Sequence, residues 1–227
     1  MSFFKKITTG YSELWKAIIR PPRDEYEQDD LGHEVTRLGN MMITRTDIEL
    51  VNDRNLRLQC SFFEPKERVA EQLPCVIYLH GNCSSRVEAL PAVPLLLQMN
   101  VCLFCLDLSG SGQSDGQYIS LGWFEREDVR LVVEYLRKTG RISTIGLWGR
   151  SMGAVTALLH GDRDPSIAGM VLDSPFADLT VLAKEIAGSY ANVPNFVLST
   201  AIKFIRKTVK KNAMFDIYDL KPIEHVK

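Results

Sequence analysis

Short apolar runs recur along the middle of the chain and predict its strands. Two alternating stretches, ITRTDIEL and LRLQCSFFEP, flank the turn NDRN and indicate a β-hairpin. Beyond the hairpin the apolar runs become almost continuous, which is typical of strands buried on both faces of a sheet. These runs are CVIYLHGN (75–82), VCLFCLDLSG (101–110), ISTIGLWG (142–149) and AGMVLDS (168–174). The pattern therefore predicts six strands.

Helical periodicity separates these strands. It covers Val87–Met99 and Leu121–Thr139, and a third helix is predicted to begin at Ser151. Strands that alternate with helices form βαβ units, in which the strands are parallel. We therefore expect an α/β fold with a mostly parallel, doubly wound sheet and an antiparallel hairpin at its N-terminal side.

Two further helices, at 176–191 and 195–211, are predicted after the last strand. The second has apolar residues on one side and lysine and arginine on the other, which is typical of a solvated helix face. We interpret residues 176–212 as a helical, lid-like segment of a core that spans residues 41–227.

Residues 1–40 are predicted to form an amphipathic helix and a polar, acidic connector. The helix ends before Pro21, and its apolar face contains Phe4, Ile7, Tyr11, Leu14, Trp15, Ile18 and Ile19. Two interpretations stay open for this face. It packs on the protein's own body, or it makes a peripheral contact with a membrane or a partner, aided by nearby lysines.

Composition narrows the classes of function. The chain has 227 residues, which suits one domain. Its 27 basic and 28 acidic side chains give no net positive charge of the kind that nucleic-acid binding requires. No apolar run approaches the roughly 18 residues that a membrane span needs, so no transmembrane segment is expected.

The five cysteines favour a reducing, cytoplasmic location. Their number is odd, and four of them lie in strand-like runs rather than in the loops of a small secreted scaffold. Cys102 and Cys105 are three positions apart in a predicted strand, so their side chains point to opposite faces and cannot share a metal ion. We expect neither a metal nor a cofactor.

The strongest chemical signal is the motif Gly149-Arg150-Ser151-Met152-Gly153. A serine hydroxyl is a weak nucleophile unless it is exposed on a tight turn within reach of a base, and this motif lies between a predicted strand and a predicted helix. The flanking glycines leave room for a crowded backbone, and the helix N-terminus favours developing negative charge. Ser151 is therefore the candidate nucleophile.

Such a nucleophile requires two hydrogen-bond donors for the oxyanion that forms in the transition state. The amide of Met152, directly after the nucleophile, is one candidate. The second is the amide of Asn82, in the loop after the run CVIYLHGN, with Cys83 as the alternative. His80 precedes this loop and is a possible base, but a histidine at the end of a buried strand more often fixes a loop through hydrogen bonds.

The stretch DLSGSGQSDG (107–116) contains glycines like those of a nucleotide-binding loop. Asp115 stands where the dinucleotide motif requires glycine, and no Gly-Lys-Ser/Thr follows. An acidic side chain would also repel a phosphate, so we expect a tight structural turn.

The segments YLHGNCSSRVEA, DLSGSGQSDGQYISLGW, GLWGRSMGAVTALL and PSIAGMVLDSPFADL, together with IIRPPR, resemble the serine α/β-hydrolases of plants and protists that are described as serine aminopeptidase-like. The resemblance spans nearly the whole chain. It implies an α/β-hydrolase fold and a Ser-Asp-His triad in that chain order. It also implies a small-molecule or peptide substrate with an ester, thioester or amide bond.

The chain departs from this family pattern at its end. In the family the catalytic acid and histidine follow two strands that would come after DIYDLKPIEHVK, where this sequence stops. The histidines are His33, His80, His160 and His225, and none occupies the family's catalytic position. A substitute triad of Ser151, Asp173 and His225 would satisfy the chain order, but chain ends rarely hold a base in place.

We therefore expect a serine hydrolase that lacks the last two strands of its sheet. Its nucleophile and oxyanion hole are present, and its catalytic acid and histidine are missing. The alternative is a non-catalytic binding or scaffold protein on the same fold, because fold alone does not decide function.

Overall fold

The computed structural model describes residues 15–16, 18–190 and 195–226, and in these ranges seven strands form one sheet. The strands are β1 (Val35–Leu38), β2 (Met41–Val51), β3 (Arg57–Pro65), β4 (Leu73–Leu79), β5 (Cys102–Leu106), β6 (Ile142–Arg150) and β7 (Ile167–Asp173). Their order across the sheet is β1-β2-β3-β5-β4-β6-β7. Strands β1, β2, β3 and β5 pair antiparallel in that order, and β5, β4, β6 and β7 run parallel.

Helices lie on both faces of this sheet. The α-helices of the described ranges are α1 (Ala92–Leu97), α2 (Glu125–Lys138), α3 (Met152–Gly161), α4 (Leu179–Tyr190) and α5 (Asn195–Ala213). Short 3₁₀ helices cover Gln28–Leu31, Arg86–Ala89 and Pro222–His225. None of the described helices is both long enough and apolar enough to cross a bilayer.

Alternate residues of the central strands face two separate cores. In β5, Cys102 and Phe104 pack into the core that also contains residues of α2, α3 and α5. Leu103 and Cys105 pack into the core that contains residues of α1. The two cysteines therefore lie on opposite faces of the sheet, as their spacing predicts.

The predicted α/β class, the hairpin and all six predicted strands are confirmed, but β1 is an additional strand. It lies within residues 23–40, which the sequence analysis interpreted as a connector. Three of its four residues are exposed, and it is held by backbone pairing with β2 along Val35–Leu38. A strand that buries so little has no apolar alternation, so the pattern could not reveal it.

Two predicted helices are shorter in the structure. The segment Val87–Met99 contains the end of a 3₁₀ turn and then the six residues of α1. Pro91 lies between the two. A proline has no backbone N–H to donate, so a continuous helix is disfavoured at this position.

The predicted helix Leu121–Thr139 begins only at Glu125. Leu121 has a φ of +55°, which is not helical. The carboxylate of Glu125 accepts hydrogen bonds from the amides of Ser120 at 2.7 Å and Gly122 at 2.8 Å. These bonds hold the residues before α2 as a loop.

Most of the predicted N-terminal helix lies outside the described residues. Of its apolar face, Ile19 is fully buried in the core, and Trp15 and Ile18 pack against the same core. At these positions the helix packs on the protein's own body. Peripheral contact with a membrane by the rest of this helix stays a prediction.

Helix α5 packs on the core and has its basic side chains on the other side. Arg206 Nε donates to Asp216 Oδ1 at 2.7 Å, and Lys210 Nζ lies 3.2 Å from Asp216 Oδ2. Part of the basic face is thus neutralised by the loop that follows the helix, which agrees with a covering helix rather than a polyanion site. Its buried positions include Ile202, Ile205 and Val209.

Candidate active site

Ser151 lies on the turn between β6 and α3. Its backbone has φ +50° and ψ −112°, a conformation that residues with a side chain rarely adopt. The Ser151 amide donates to the carbonyl of Asp173 at 2.8 Å, and the Ser151 carbonyl accepts from the amide of Val155 at 3.0 Å. The serine is therefore held in a strained turn that is hydrogen-bonded to the end of β7 and to α3.

Gly149 and Gly153 flank this turn and pack directly against backbone. A Cβ on Gly149 would overlap the carbonyl group of Gly153, and a Cβ on Gly153 would overlap the carbonyl group of Leu79 at the end of β4. Backbone atoms cannot rotate away as side chains do. Both positions therefore require glycine for the steric reason that the sequence suggested.

Ser151, Met152 and Asn82 line one cavity of about 170 Å³. The structure thus brings together the three residues that the sequence analysis assigned to one site. None of the described residues that line the cavity carries a carboxylate. The remaining lining is apolar and consists of Ile18, Leu121, Phe176, Leu179, Leu182 and Ala183.

The backbone amides at the cavity differ in their hydrogen bonding. The amide of Cys83 donates to the Asn82 side-chain oxygen at 2.9 Å. The amides of Asn82 and Met152 have no acceptor among the residues that the structure describes. The geometry therefore favours Asn82 over Cys83 as the second donor. Burial raises the pKa of the Cys83 thiol, which disfavours a competing thiolate nucleophile.

Arg150 and Glu88 form an ion pair beside the cavity that the sequence analysis did not single out. Arg150 Nε and Nη2 donate to the two carboxylate oxygens of Glu88 at 2.8 and 2.6 Å. The only sequence signal is the arginine inside the Gly-x-Ser-x-Gly motif together with a glutamate six positions after Asn82. Neither indicates pairing without the three-dimensional structure.

His80 is fully buried and uses both ring nitrogens. Its Nδ1 lies 2.8 Å from the carbonyl oxygen of Gly81, and its Nε2 accepts from the amide of Leu108 at 3.1 Å. Because a carbonyl oxygen only accepts, Nδ1 carries the proton. His80 therefore fixes the loop after β4, as expected for a structural histidine.

The other histidines lie away from Ser151. His225 Nδ1 pairs with Asp162 Oδ2 at 2.8 Å, His160 is buried with Nε2 3.4 Å from Asp164, and His33 is exposed near β1. Asp173 accepts from the Ser174 hydroxyl at 2.8 Å and from no described histidine. The substitute triad of Ser151, Asp173 and His225 is therefore not assembled.

The loop 107–116 is a tight turn in which most backbone amides already have acceptors. The amides of Gly110, Ser111 and Ser114 donate to carbonyl groups within the loop, and the amide of Asp115 donates to the carbonyl of Arg57. The amide of Gln113 donates to the carboxylate of Asp107 at 2.9 Å. A phosphate site needs free amides, so this loop does not form one.

Comparison with known proteins shows which family and which solved structures this chain is similar to. A family model described as "Serine aminopeptidase, S33" matches residues 70–215. The uncharacterized protein YqkD of Bacillus subtilis (strain 168) is 35% identical over 105 residues, which are 45% of this chain and 34% of YqkD. The Pyrococcus furiosus esterase Pf2001 superposes with a TM-score of 0.62 at 25% identity, covering 82% of this chain and 68% of that one.

An acetyl xylan esterase from Paenibacillus sp. R4 shares the fold alone. Its identity is 14%, its TM-score is 0.59, and the superposition covers 99% of this chain and 75% of that chain. Measured against curated relatives, the chain spans a third to a half of their length: 34% of YqkD and 46% of the uncharacterized protein YfhR of Salmonella typhi.

Proposed function

Because the chain belongs to the serine aminopeptidase S33 family and has the α/β-hydrolase fold, we propose that it is a serine hydrolase with Ser151 as its nucleophile. The observation that carries this proposal is that Ser151, Asn82 and Met152 line one cavity, and that the amides of Asn82 and Met152 have no acceptor within the described part of the chain. Nucleophile and oxyanion donors are the two groups that acyl transfer requires in fixed positions.

The chemistry follows from these positions. A base removes the Ser151 hydroxyl proton as the oxygen attacks the carbonyl carbon of the substrate. The Asn82 and Met152 amides donate to the resulting oxyanion, and the positive end of α3 favours the same charge. The intermediate then expels the protonated alcohol, thiol or amine, and water releases the acyl group from Ser151.

We propose that the base and its acid partner come from outside the described residues. None of the described histidines approaches Ser151. Strand β7, at the sheet edge, leaves Met170 and Val171 40% and 55% exposed, which favours a further strand beside it. The curated relatives, of which the matches cover less than half, are long enough to contain such strands.

We further propose an ester or thioester with a neutral acyl group as substrate. An aminopeptidase substrate carries an ammonium group next to the scissile carbonyl, and a buried ammonium needs a carboxylate partner. Apart from Asn82, the described residues that line the cavity around Ser151 are apolar, and none of them carries a carboxylate.

The buried thiols of Cys60, Cys75, Cys102 and Cys105 support the expected cytoplasmic location.

The lack of a described histidine at Ser151 favours one second candidate, a non-catalytic binding protein on the hydrolase fold. A fluorophosphonate probe separates the two candidates when it is applied to the complete gene product. We expect labelling at Ser151 that is lost in Ser151→Ala. The matched control is Ser174→Ala, which removes an exposed hydroxyl on another strand-end residue with positive φ and should leave labelling unchanged. A folded protein that stays unlabelled would favour the binding protein.

A further inference from the structure

Strands β4 and β6 are neighbours and end side by side. Leu79 pairs with Gly149 at their last shared position, so the loop with Asn82 and the turn with Ser151 leave the sheet together. The distance between the Asn82 amide and the Met152 amide therefore depends on the contacts that connect these two segments beyond the last strand pair.

The Arg150–Glu88 ion pair makes that connection. Arg150 directly precedes Ser151, and its guanidinium holds the Glu88 carboxylate through two hydrogen bonds, of 2.8 and 2.6 Å. The same carboxylate accepts the amide of Gly81 at 3.2 and 3.3 Å. Gly81 directly precedes Asn82, so one carboxylate bonds to residues adjacent to both the nucleophile and the proposed donor loop.

Packing reinforces this link. A Cβ on Gly81 would lie 3.0 Å from Arg150 Nη2 and 3.2 Å from Arg150 Cζ, so the guanidinium passes directly over the glycine. On the other side, the hydroxyl of Tyr78 donates to Glu88 Oε1 at 3.1 Å. The Glu88 side chain is only 14% exposed.

Glu88 is itself held by the core. It belongs to the 3₁₀ helix Arg86–Ala89, in which the Arg86 amide donates to Asp107 Oδ1 at 2.6 Å and the buried Arg86 guanidinium donates to the carbonyl of Cys60 at 2.7 Å. Burial opposes the charge on Glu88, but hydrogen bonds from Arg150 and Ser84 outweigh it and lower the pKa of Glu88 to about 2. The ion pair therefore stays charged at neutral pH.

We infer that Arg150 and Glu88 are positioning residues that set the separation of the Asn82 and Met152 amides. The inference rests on the proposed serine hydrolase function. Loss of an oxyanion donor lowers kcat by about 100- to 1000-fold, and a displacement of about 1 Å costs about 100-fold. A loop that is loosened without losing its donor should therefore lower kcat by about 10- to 100-fold.

The experiment compares Arg150→Met with Arg141→Met in the complete gene product. Arg141 precedes β6 at its other end and pairs with Glu64 at 2.8 Å, with side-chain exposures of 50% and 10%. The Arg150–Glu88 pair has 47% and 14%. Each variant is measured for kcat and KM with a p-nitrophenyl ester, for affinity toward a trifluoromethyl ketone, and for thermal unfolding.

We expect Arg150→Met to lower kcat by about 10- to 100-fold with KM changed by less than about twofold, because the oxyanion forms only after binding. Affinity for the trifluoromethyl ketone should fall by the same factor as kcat/KM, because its adduct contains that oxyanion. Arg150→Lys keeps the charge but loses the two-pronged geometry, so it should recover part of the activity. Arg141→Met should keep wild-type kinetics.

A kcat within about twofold of wild type in Arg150→Met, or a fall in kcat without loss of trifluoromethyl ketone affinity, would overturn the inference alone. A wild-type protein that neither hydrolyses esters nor loses probe labelling in Ser151→Ala would overturn the proposed function and this inference together. An equal loss of kcat in Arg150→Met and Arg141→Met would mean that the Arg150–Glu88 pair only stabilises the fold. That result would also overturn the inference.

Discussion

His225 Nδ1 lies 2.8 Å from Asp162 Oδ2, at the end of helix α3 opposite to Ser151. Helix α3 has 10 residues, and a helix rises about 1.5 Å per residue, so about 15 Å separates this pair from the nucleophile. A general base must lie within about 3 Å of the proton it removes. The pair therefore joins the 3₁₀ helix Pro222–His225 to the core and does not reach the serine.

We accordingly expect His225→Ala to leave the fluorophosphonate labelling rate of Ser151 within about twofold of wild type, because the imidazole is beyond proton-transfer distance. The unfolding free energy should fall by at most about 1 kcal/mol, since the contact between His225 and Asp162 is partly exposed to solvent. Labelling is followed by mass spectrometry and stability by urea unfolding. A more than tenfold slower labelling rate in a variant that remains folded would assign His225 to the active site.

Gly153→Ala tests the packing beneath the nucleophile. Its Cβ would overlap the carbonyl of Leu79, so β4 and α3 would have to move apart, and overpacking of this kind costs about 3 kcal/mol or more. We expect a large loss of thermal stability together with loss of probe labelling. The control is Gly169→Ala in β7, where a Cβ would meet nothing within 4 Å, and its unfolding temperature should stay close to wild type. Equal effects of the two substitutions would contradict the steric argument.

The turn with Ser151 and the loop with Asn82 could be predicted from the sequence because their signals are local. Asn82 follows β4, and Ser151 and Met152 follow β6. Both strands are marked in the sequence by nearly continuous apolar runs. Parallel strands end at the same edge of a sheet, so the sequence predicts that these residues lie near one another. The cavity that they line agrees with this expectation.

Features that depend on contacts between residues far apart in the chain could not be predicted from the sequence. The Arg150–Glu88 pair joins residues 62 positions apart, and neither residue type at its position signals the other. The loop before α2 carries apolar residues at helical spacing, yet the Glu125 carboxylate holds it as a loop with Leu121 at positive φ. In both cases tertiary hydrogen bonds decided the structure, and periodicity does not encode them.

The cavity volume sets an expected acyl length. An apolar cavity of about 150 Å³ holds a benzene ring, so the cavity of about 170 Å³ at Ser151 should hold about six carbons. With p-nitrophenyl esters of two to ten carbons, we expect kcat/KM to rise about fourfold per methylene up to that length, since each buried methylene contributes about 0.8 kcal/mol. Longer chains should gain nothing further.

Leu182→Ala should move this optimum toward longer acyl chains by about two to three carbons. The substitution removes three side-chain carbons from the lining and so enlarges the cavity. Val181→Ala removes a neighbouring side chain that is 46% exposed and outside the cavity lining, so its chain-length profile should match wild type. Chain-length profiles in the complete gene product decide the matter. An unchanged optimum in Leu182→Ala would place the acyl group elsewhere.

Asp216 ties helix α5 to the chain that follows it, and its ionisation should make stability depend on pH. Hydrogen bonds from Arg206 outweigh burial and lower the pKa of Asp216 to about 2, whereas an aspartate in an unfolded chain has a pKa of about 3.9. As the pH falls from about 4 toward 2, the unfolded chain takes up a proton first, so the stabilisation that is present above pH 4 is lost in this window.

Asp216→Asn should therefore unfold at lower urea concentration than wild type at pH 6, and the difference should shrink between pH 4 and pH 3. Asp219→Asn, at an exposed position three residues on, serves as the control and should show no such convergence. A difference between Asp216→Asn and wild type that stays constant down to pH 2.5 would mean that the carboxylate charge does not hold this helix in place.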